Sequence, residues 1–192
     1  MGMGEDDRAL VEQWRRGDPE AARRVVVLHG PAMTRVALAL CSRTEDAEEV
    51  VQDALLRAHC ALDAFDPRRG TLRSWLVGVT ANRARQVRRG LARYGRFLAR
   101  MRREPYVAAG PPTTHGDLEF ARRRLAALPA REREAFVLVE VEELSSDEAG
   151  RIMRISGSTV RVLVNRARRR LHDEPAGGTV HAMRREAEGR SK

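Results

Sequence analysis

The sequence contains few of the residues that build disulfide frameworks, aromatic cores or membrane spans. Its two cysteines, Cys41 and Cys60, provide neither a disulfide framework nor the spacing of a zinc site in a chain of 192 residues. Aromatic residues make up only 4% of the chain, so the core must be built from Ala, Val and Leu. Apolar runs such as residues 25–28 and 36–41 are far too short to cross a bilayer. We therefore expect a reduced, cytoplasmic protein that has no secretory segment and does not insert into a membrane.

Lysine is almost absent, because 35 of the 36 basic residues are arginine and only Lys192 differs. Guanidinium groups are planar, forked donors that suit phosphates, base edges and carboxylates. The net charge of +9 is unevenly spread: residues 67–104 carry +11 and residues 151–192 carry +7, whereas residues 1–66 and 105–150 carry −5 and −4. A single basic helix is most simply a solvated charged face, but two basic segments on patterned helices indicate a polyanionic partner.

Apolar residues recur at helical spacing along the chain, and no strand-like alternation persists, which predicts an all-α fold. Proline and glycine concentrate near the middle of the chain, where their density is typical of a tether. We expect two small helical domains joined by a flexible linker, the second domain containing a helix-turn-helix, and a mobile tail after them. The expected boundaries are 7–98 for the first domain, 99–117 for the linker, 118–172 for the second domain and 173–192 for the tail.

Side chains that accept hydrogen bonds from free backbone N–H groups mark the starts of the helices. The expected caps are Asp18 (followed by Pro19), Thr71 and Ser156, with capping boxes at Ser42–Glu45 and Ser145–Glu148 and Thr44 as a second possible start for the first box. Pro31, which follows Gly30, should kink or restart the helix that begins at Pro19.

The helix after residue 44 combines an apolar stripe with a polar face. Asp46, Glu49, Gln52 and Asp53 lie mostly off the stripe and are available to a partner. In the next long helix, Trp75 falls on the apolar stripe and is expected in the core rather than as a stacking platform for bases. Asn82 and the arginines that follow it could contact phosphates or single strands.

Residues 145–172 have the pattern of a helix-turn-helix, with a short helix, a tight turn and a second helix rich in arginine. Arg161 and Asn165 lie one turn apart on the outer face, where Arg can bind guanine and Asn can bind adenine. An ordinary antiparallel helix pair is the alternative, but the concentration of arginine on the second helix favours duplex DNA. The polar residues predicted to face DNA are Ser158, Thr159, Arg161, Asn165, Arg166 and Arg168.

The sequence lacks the motifs of an enzyme, so we expect no catalytic residues, no cofactor and no metal ion. It has no glycine-rich phosphate loop and no H-E-x-x-H pair, and its five histidines are scattered. Glu142 and Glu143 are expected on a helix surface without a nearby base or nucleophile. Cys60 is expected to be a small core residue beside an exposed His59. A nuclease would need a metal-binding carboxylate cluster, and none is placed convincingly.

The ordered motifs of the chain resemble those of bacterial RNA polymerase sigma factors, sigma-70 family regions 2 and 4. Region 2 is matched by GDPEA at 17–21, EDAEEVVQD at 45–53, RSWL at 73–76 and ANR at 81–83. Region 4 is matched by LPARERE at 128–134, SGSTVR at 156–161 and RARRRL at 166–171. The layout without regions 1 and 3 is typical of the extracytoplasmic-function (ECF) group.

This resemblance implies that the protein binds core polymerase, directs it to promoters and assists opening of the DNA. It implies that Asp46, Glu49, Gln52 and Asp53 dock on the clamp helices of the largest subunit, that the second domain meets the flap of the second-largest subunit, and that an anti-sigma factor is a partner. The outer face of the second helix would bind the −35 element. The residues implied for the −10 element are Asp66, Arg68, Arg69, Thr71, Asn82, Arg83, Arg85 and Arg88.

A stand-alone helix-turn-helix regulator remains the alternative to a sigma factor. That alternative leaves the acidic face of residues 46–53 and the first basic segment without a role. Several positions depart from the family pattern, among them residues 25–28, Leu72, Val162, Val164 and Asn165, and two further departures concern His59 and Arg154. His59 stands where the family usually has an aromatic side chain, and Arg154 stands where it usually has glycine, so we expect a strained or shifted turn at Arg154.

Overall fold

A computed structural model describes residues 5–102 and 117–173, with side chains over 7–97 and 120–173. All regular structure in these ranges is helical, which confirms the all-α prediction. The helices are α1 (Glu5–Arg15), α2 (Pro19–Leu40), α3 (Thr44–Cys60), α4 (Leu72–Arg102), α5 (Asp117–Ala127), α6 (Ala130–Phe136), α7 (Ser146–Met153) and α8 (Gly157–Asp173). A 3₁₀ turn at Leu62–Ala64 follows α3, and a π-helical turn at Val137–Val141 extends α6. None of these helices combines the length and apolarity that crossing a membrane demands.

Most of the predicted linker, residues 103–116, lies outside the described residues, as do residues 174–192 of the predicted tail. The described part of α4 continues to Arg102, so the basic second half of this helix is one unbroken element with its apolar first half. Helices α1 to α4 form the first domain, and helices α5 to α8 form the second domain.

Four of the expected helix caps are present. Asp18 accepts a hydrogen bond from the Glu20 N–H at 2.9 Å, with Pro19 in the first helical position. The Ser145 capping box is complete. Thr71 accepts from the Ser74 N–H at 3.1 Å, and Ser156 accepts from the Thr159 N–H at 3.2 Å.

The structure contradicts two local expectations, the Ser42–Glu45 capping box and a restart of the helix at Pro31. The Ser42–Glu45 box does not form, because α3 begins at Thr44 and the residue before it, Arg43, makes no side-chain cap. Helix α2 also runs unbroken through Pro31 to Leu40. The carbonyl that Pro31 cannot satisfy belongs to Val27, and Val27 is 73% exposed, so water can take the place of the missing N–H.

The first domain encloses a core of aliphatic residues beneath α1. Leu10 and Trp14 of α1 pack with Met33, Leu72 and other buried residues of α2, α3 and α4. Trp75 is half-buried against Phe65, with ring centroids 5.5 Å apart. The expectation for Cys60 is wrong, since this residue is exposed at the end of α3, off the stripe of buried alanines.

The two domains pack against each other through a continuous apolar cluster. Val77 and Ala81 of α4 belong to the same buried cluster as Leu138, Met153 and Val160 of the second domain. Close approach depends on a glycine: a Cβ at Gly78 would lie 3.1 Å from the Ile152 side chain. Helix α8 packs on α6 and α7, so its outer face points away from this interface.

Candidate nucleic-acid interface

Helix α8 separates its apolar and polar residues by face. Val160, Val164 and Ala167 are buried against α6 and α7. All the residues predicted to face duplex DNA are exposed, namely Ser158, Thr159, Arg161, Asn165, Arg166 and Arg168. The sequence period alone places these residues together, because a 3.6-residue repeat puts them opposite the buried stripe.

Three of these positions, Ser158, Thr159 and Arg168, have partners within the protein. The Ser156 hydroxyl lies 2.9 Å from the Ser158 hydroxyl and 2.8 Å from the Thr159 hydroxyl, which orders the first turn of α8. Arg168 donates to the Glu140 carboxylate at 2.8 Å. Arg161 and Asn165 lie on the outer face of α8, between the ordered first turn and Arg168. Contacts with bases would be made by these two residues.

The turn between α7 and α8 is strained in the way the sequence predicts. Arg154 ends α7 in the left-handed conformation, with φ 57° and ψ 48°. An L side chain is disfavoured there because its Cβ crowds the following carbonyl group. The Ile155 N–H donates to the Gly150 carbonyl at 3.0 Å, and a Cβ at Gly150 would lie 2.7 Å from the Ile155 oxygen. Gly150 therefore allows the tight crossing of the two helices, while Arg154 bears the strain.

The loop before α4 carries exposed cations beside a cleft. Arg68 and Arg69 are exposed, and Asp66 holds the loop by accepting the Arg68 N–H on its carboxylate at 3.0 Å. Gly70 has φ +156°, and a Cβ there would lie 2.7 Å from the Ser74 hydroxyl, so glycine is required. The cleft of about 240 Å³ is bounded by this loop, by α4 and by α7 of the second domain.

Predicted −10 residues on α4 are held by hydrogen bonds and ion pairs within the protein. Arg85 donates to the Asn82 side-chain oxygen at 2.9 Å and to both carboxylate oxygens of Glu134 in the second domain. Arg83 forms an ion pair with Asp53 of α3. The side chains of Asn82, Arg83, Arg85 and Arg88 are half-buried, in contrast to the exposed cations of the loop.

The polar residues predicted to dock on polymerase, all on α3, also include both exposed and half-buried side chains. Glu49 and Gln52 are exposed, whereas Asp46 and Asp53 are half-buried. Asp53 accepts from Arg57 at 2.6 Å in addition to its contact with Arg83. The structure thus joins Asp53, which is predicted to dock on polymerase, to Arg83, which is predicted to contact DNA. Glu49 and Gln52 are the exposed part of the predicted docking face.

The domain interface contains charged residues that the sequence analysis missed. Glu142 is fully buried, so its placement on a helix surface is wrong. Its carboxylate accepts from Arg35 at 2.9 and 3.2 Å and from Arg73 at 2.6 Å, and Arg73 also donates to the Glu142 carbonyl at 2.8 Å. Removing one partner from a buried ion pair commonly costs about 3–5 kcal/mol, and the half-exposed arginines place this site below that range.

The π-helical turn explains why the Glu142 site was missed. The Glu142 N–H donates to the carbonyl of Val137 at 3.0 Å, five residues earlier. One extra residue in the turn rotates the residues that follow it away from the face that a 3.6-residue period assigns to them. The sequence contains one sign that Glu142 is buried, because this residue directly follows the apolar-rich run 135–141.

Helix α7 completes one wall of the cleft beside the loop. Arg151 donates to the Arg69 carbonyl at 3.0 Å, and Glu148 and Ile152 line the cleft with Asn82. Within residues 5–102 and 117–173, His, Cys, Asp and Glu side chains form no cluster that could hold a metal ion. Arginine, asparagine and hydroxyl groups at this surface can form hydrogen bonds and ion pairs with a nucleic acid.

Comparison with protein families gives two matches in the order of the two domains. The Sigma-70 region 2 family matches residues 25–94, and the Sigma-70 region 4 family matches residues 121–171. RNA polymerase sigma factor CnrH of Cupriavidus metallidurans is 31% identical over 89% of this chain and 95% of its own length. ECF RNA polymerase sigma factor EcfG of Rhodopseudomonas palustris is 30% identical over 73% of this chain and 77% of its own length.

Two solved structures are similar to this fold. CnrH in complex with the cytosolic domain of CnrY has a TM-score of 0.64 and 29% identity, covering 86% of this chain and 94% of that one. Sigma factor RpoE from Bartonella quintana, in complex with the anti-sigma factor NepR, has a TM-score of 0.63 and 28% identity, covering 79% of this chain and 94% of that one. Both similarities extend over most of the length of each protein.

Proposed function

Because this chain belongs to the extracytoplasmic-function sigma factors of the sigma-70 family, we propose that it binds core RNA polymerase in the cytoplasm, directs it to promoters and assists opening of the DNA. The family consists of transcription factors rather than enzymes, in keeping with a surface that offers hydrogen bonds and ion pairs.

The outer face of α8 is the observation that carries this proposal. Arg161 and Asn165 lie on one exposed face of a helix whose opposite face is buried and whose first turn is ordered by hydroxyl groups. Such a helix fits the major groove, where Arg and Asn distinguish guanine and adenine. We assign this face to the −35 element. The contacts that we assign to the phosphates are made by Ser158, Thr159, Arg166 and Arg168.

The loop and α4 support a second contact, with the opened −10 element. Arg68 and Arg69 supply exposed cations at the mouth of a cleft that Asn82 helps to line. A single strand needs both a cationic path for its backbone and a recess for an unstacked base. Asp66 and Thr71 shape the loop, and the arginines of α4 extend the cationic path.

Docking on polymerase is assigned to α3. Glu49 and Gln52 are exposed there, next to the half-buried Asp46 and Asp53, on a helix whose other face is core. This face suits the clamp helices of the largest subunit, and the second domain is assigned to the flap of the second-largest subunit. An anti-sigma factor is a proposed partner, since both similar structures are complexes with CnrY or NepR.

The direct test is runoff transcription with core RNA polymerase on fragments of the source genome, followed by mapping of the start sites. We expect a set of start sites that depends on this protein and shares −35 and −10 sequences. Tight, specific promoter binding by the free protein, with no transcription in the presence of core enzyme, would instead support the stand-alone regulator.

Two single variants separate the steps. Arg161→Ala should weaken promoter-dependent transcription roughly 5- to 150-fold, the equivalent of about 1–3 kcal/mol for a base contact, while core binding stays unchanged. Glu49→Lys should weaken core binding, with Glu20→Lys on α2 as the matched charge reversal that does not. Equal core affinity for Glu49→Lys and Glu20→Lys would refute the placement of the docking face.

A further inference from the structure

The outward face of α2 carries apolar side chains that are open to solvent. Val27 and Leu28 are 73% and 57% exposed, and Val26 beside them is 47% exposed. Arg24, one turn before Leu28, is exposed and forms no ion pair within residues 7–97 and 120–173. These four residues, which we term the α2 patch, combine exposed apolar area with an unpaired cation. Such a surface fits an acidic partner that also exposes an apolar side chain.

The outward face of α3 has the complementary composition. Leu56 is 68% exposed, with Gln52 one turn before it and Glu49 two turns before it on the same face. Glu48 and Glu49 are exposed, and neither forms an ion pair in the part of the chain that the structure describes. We term Glu48, Glu49, Gln52 and Leu56 the α3 patch. It opposes the side of α3 that is buried in the core.

We propose that the α2 patch of one copy of this protein binds the α3 patch of a second copy. This pairing places the Arg24 guanidinium near Glu48 and Glu49 and encloses Leu56 against Val27. Pairing of two α2 patches would oppose cations, and pairing of two α3 patches would oppose carboxylates. Opposite charge therefore favours the mixed contact over either like-with-like contact.

The arrangement of the two helices allows the contact to form twice. Helices α2 and α3 are packed together and are joined by residues 41–43 alone, so both patches lie on one helical hairpin. Two copies related by a two-fold axis can place each α2 patch on the α3 patch of the other copy and close as a dimer. Self-association through these patches goes beyond the proposed function and requires neither polymerase nor DNA.

The contact has a consequence for core polymerase. The α3 patch includes Glu49 and Gln52, which the proposed function assigns to docking on the clamp helices. Self-association and core binding would therefore compete for one face of α3. This consequence rests on the proposed function, whereas the contact between the two patches does not.

The first experiment is sedimentation equilibrium of the full-length protein without polymerase, between about 5 and 200 µM, where weak specific contacts are populated. We expect the average mass to rise from that of the 21.6 kDa monomer toward that of a dimer as the concentration increases. Val27→Ser and Leu56→Ser should each weaken the association roughly tenfold, because exposed apolar area would no longer be buried. Val162→Ser, a matched change at an exposed valine of α8, should have no effect.

The second experiment exchanges the charges of the two patches. Glu49→Arg and Arg24→Glu should each weaken the association about fivefold, because like charges would then face each other across the contact. The variant that combines both changes should recover the wild-type association, since every contact again joins opposite charges. A combined variant that associates no better than the single variants would overturn the pairing of α2 with α3.

The third experiment identifies the helices in contact by cross-linking with a bismaleimide. Wild-type protein supplies the exposed Cys60, one turn after Leu56 on α3. A tagged variant supplies a cysteine on α2 through Arg23→Cys combined with Cys60→Ser. Burial raises the pKa of the Cys41 thiol to about 11, which protects it from the reagent. We expect a mixed cross-linked dimer, and little of it when the tagged variant carries Arg169→Cys on α8 instead of Arg23→Cys.

Addition of excess core polymerase tests the competition. We expect the mixed cross-link to disappear as the protein binds core. Persistence of the cross-link on core-bound protein would overturn the shared use of the α3 face.

The outcomes separate this inference from the proposed function. A protein that stays monomeric at every concentration, or that cross-links equally through α8, overturns the inference while runoff transcription still decides the proposed function. A monomer that binds phosphatidylglycerol vesicles and loses this binding with Val27→Ser assigns the α2 patch to a lipid surface instead. If the protein self-associates as described but supports no transcription with core polymerase, the proposed function fails and the inference stands.

Discussion

His29 is a buried side chain with no hydrogen-bonding partner for either ring nitrogen. Burial lowers the pKa of His29 because the charged ring would lose its hydration, and Arg73 lowers it further, although Asp7 acts in the opposite direction. A base whose pKa is lower in the folded state than in the unfolded state reduces the free energy of unfolding when the pH falls. This loss is absent well above the ordinary histidine pKa near 6.5 and grows as the pH falls below that value.

His29→Leu should therefore remove part of the acid sensitivity of folding. Between pH 7.5 and 5.5, the free energy of unfolding of the wild type should fall more than that of the variant, as measured by urea denaturation at each pH. Val27→Leu, an exposed change on the same helix that removes no titratable group, serves as the control and should follow the wild-type profile. Parallel pH profiles for His29→Leu and wild type would contradict the argument.

Arg154 is a second residue whose local conformation has a measurable cost. It occupies the left-handed region that glycine adopts freely. Arg154→Gly should stabilise the protein by about 1 kcal/mol in urea denaturation, because the crowding of its Cβ is relieved. Arg169→Gly, within α8, should have the opposite sign and cost about 1 kcal/mol. A loss of stability for Arg154→Gly would mean that its side chain contributes more than the turn costs.

At the scale of elements, capping patterns in the sequence are only partly informative. Ser42–Glu45 and Ser145–Glu148 have the same spacing, yet only the second forms a capping box. The start of α3 is displaced to Thr44, whose hydroxyl accepts from Arg122 of the second domain. Tertiary contacts of this kind cannot be derived from a local motif.

The two serines provide a matched pair for testing the caps. Ser145→Ala should destabilise the protein by about 1 kcal/mol, whereas Ser42→Ala should change its stability by a few tenths at most. Chemical denaturation of both variants measures the difference. Equal losses would show that Ser42 makes a stabilising contact of its own.

The Ser145 box also has an expected pH dependence. Burial acts to raise the pKa of Glu148, but hydrogen bonds from the Ser145 hydroxyl and N–H outweigh it, so the pKa is lowered. The stabilisation from this carboxylate is therefore present above its ordinary pKa and is lost as the pH falls through the lowered value.

The helices that position the site were largely predictable, and their partners were not. Periodicity places Val160, Val164 and Ala167 on the buried side of α8 and Arg161 on the other side. It fails at Glu142, because a π-helical turn shifts the register just before that residue. The ion pairs with Arg35 and Arg73 join residues about 70 to 110 positions apart, for which a single sequence contains no pairing signal.

At the scale of the whole molecule, the two domains share one apolar cluster and should unfold together. Calorimetry of the wild type is expected to show a single cooperative transition. A variant that combines Glu134→Gln with Glu142→Gln should show two transitions, because without the interdomain ion pairs each domain unfolds on its own. Two transitions in the wild type would mean that the interface is too weak to couple the domains in solution.

The shared cluster has a thermodynamic consequence for any ligand that distinguishes packed from separated domains. A ligand that binds only after separation must supply the free energy of undocking, and the next such ligand then binds without that cost. By the same linkage, a protein that binds only the packed form lowers the affinity for every ligand that requires separated domains. The strength of packing at Gly78 and Ile152 would thus determine how cooperatively distant surfaces respond to one another.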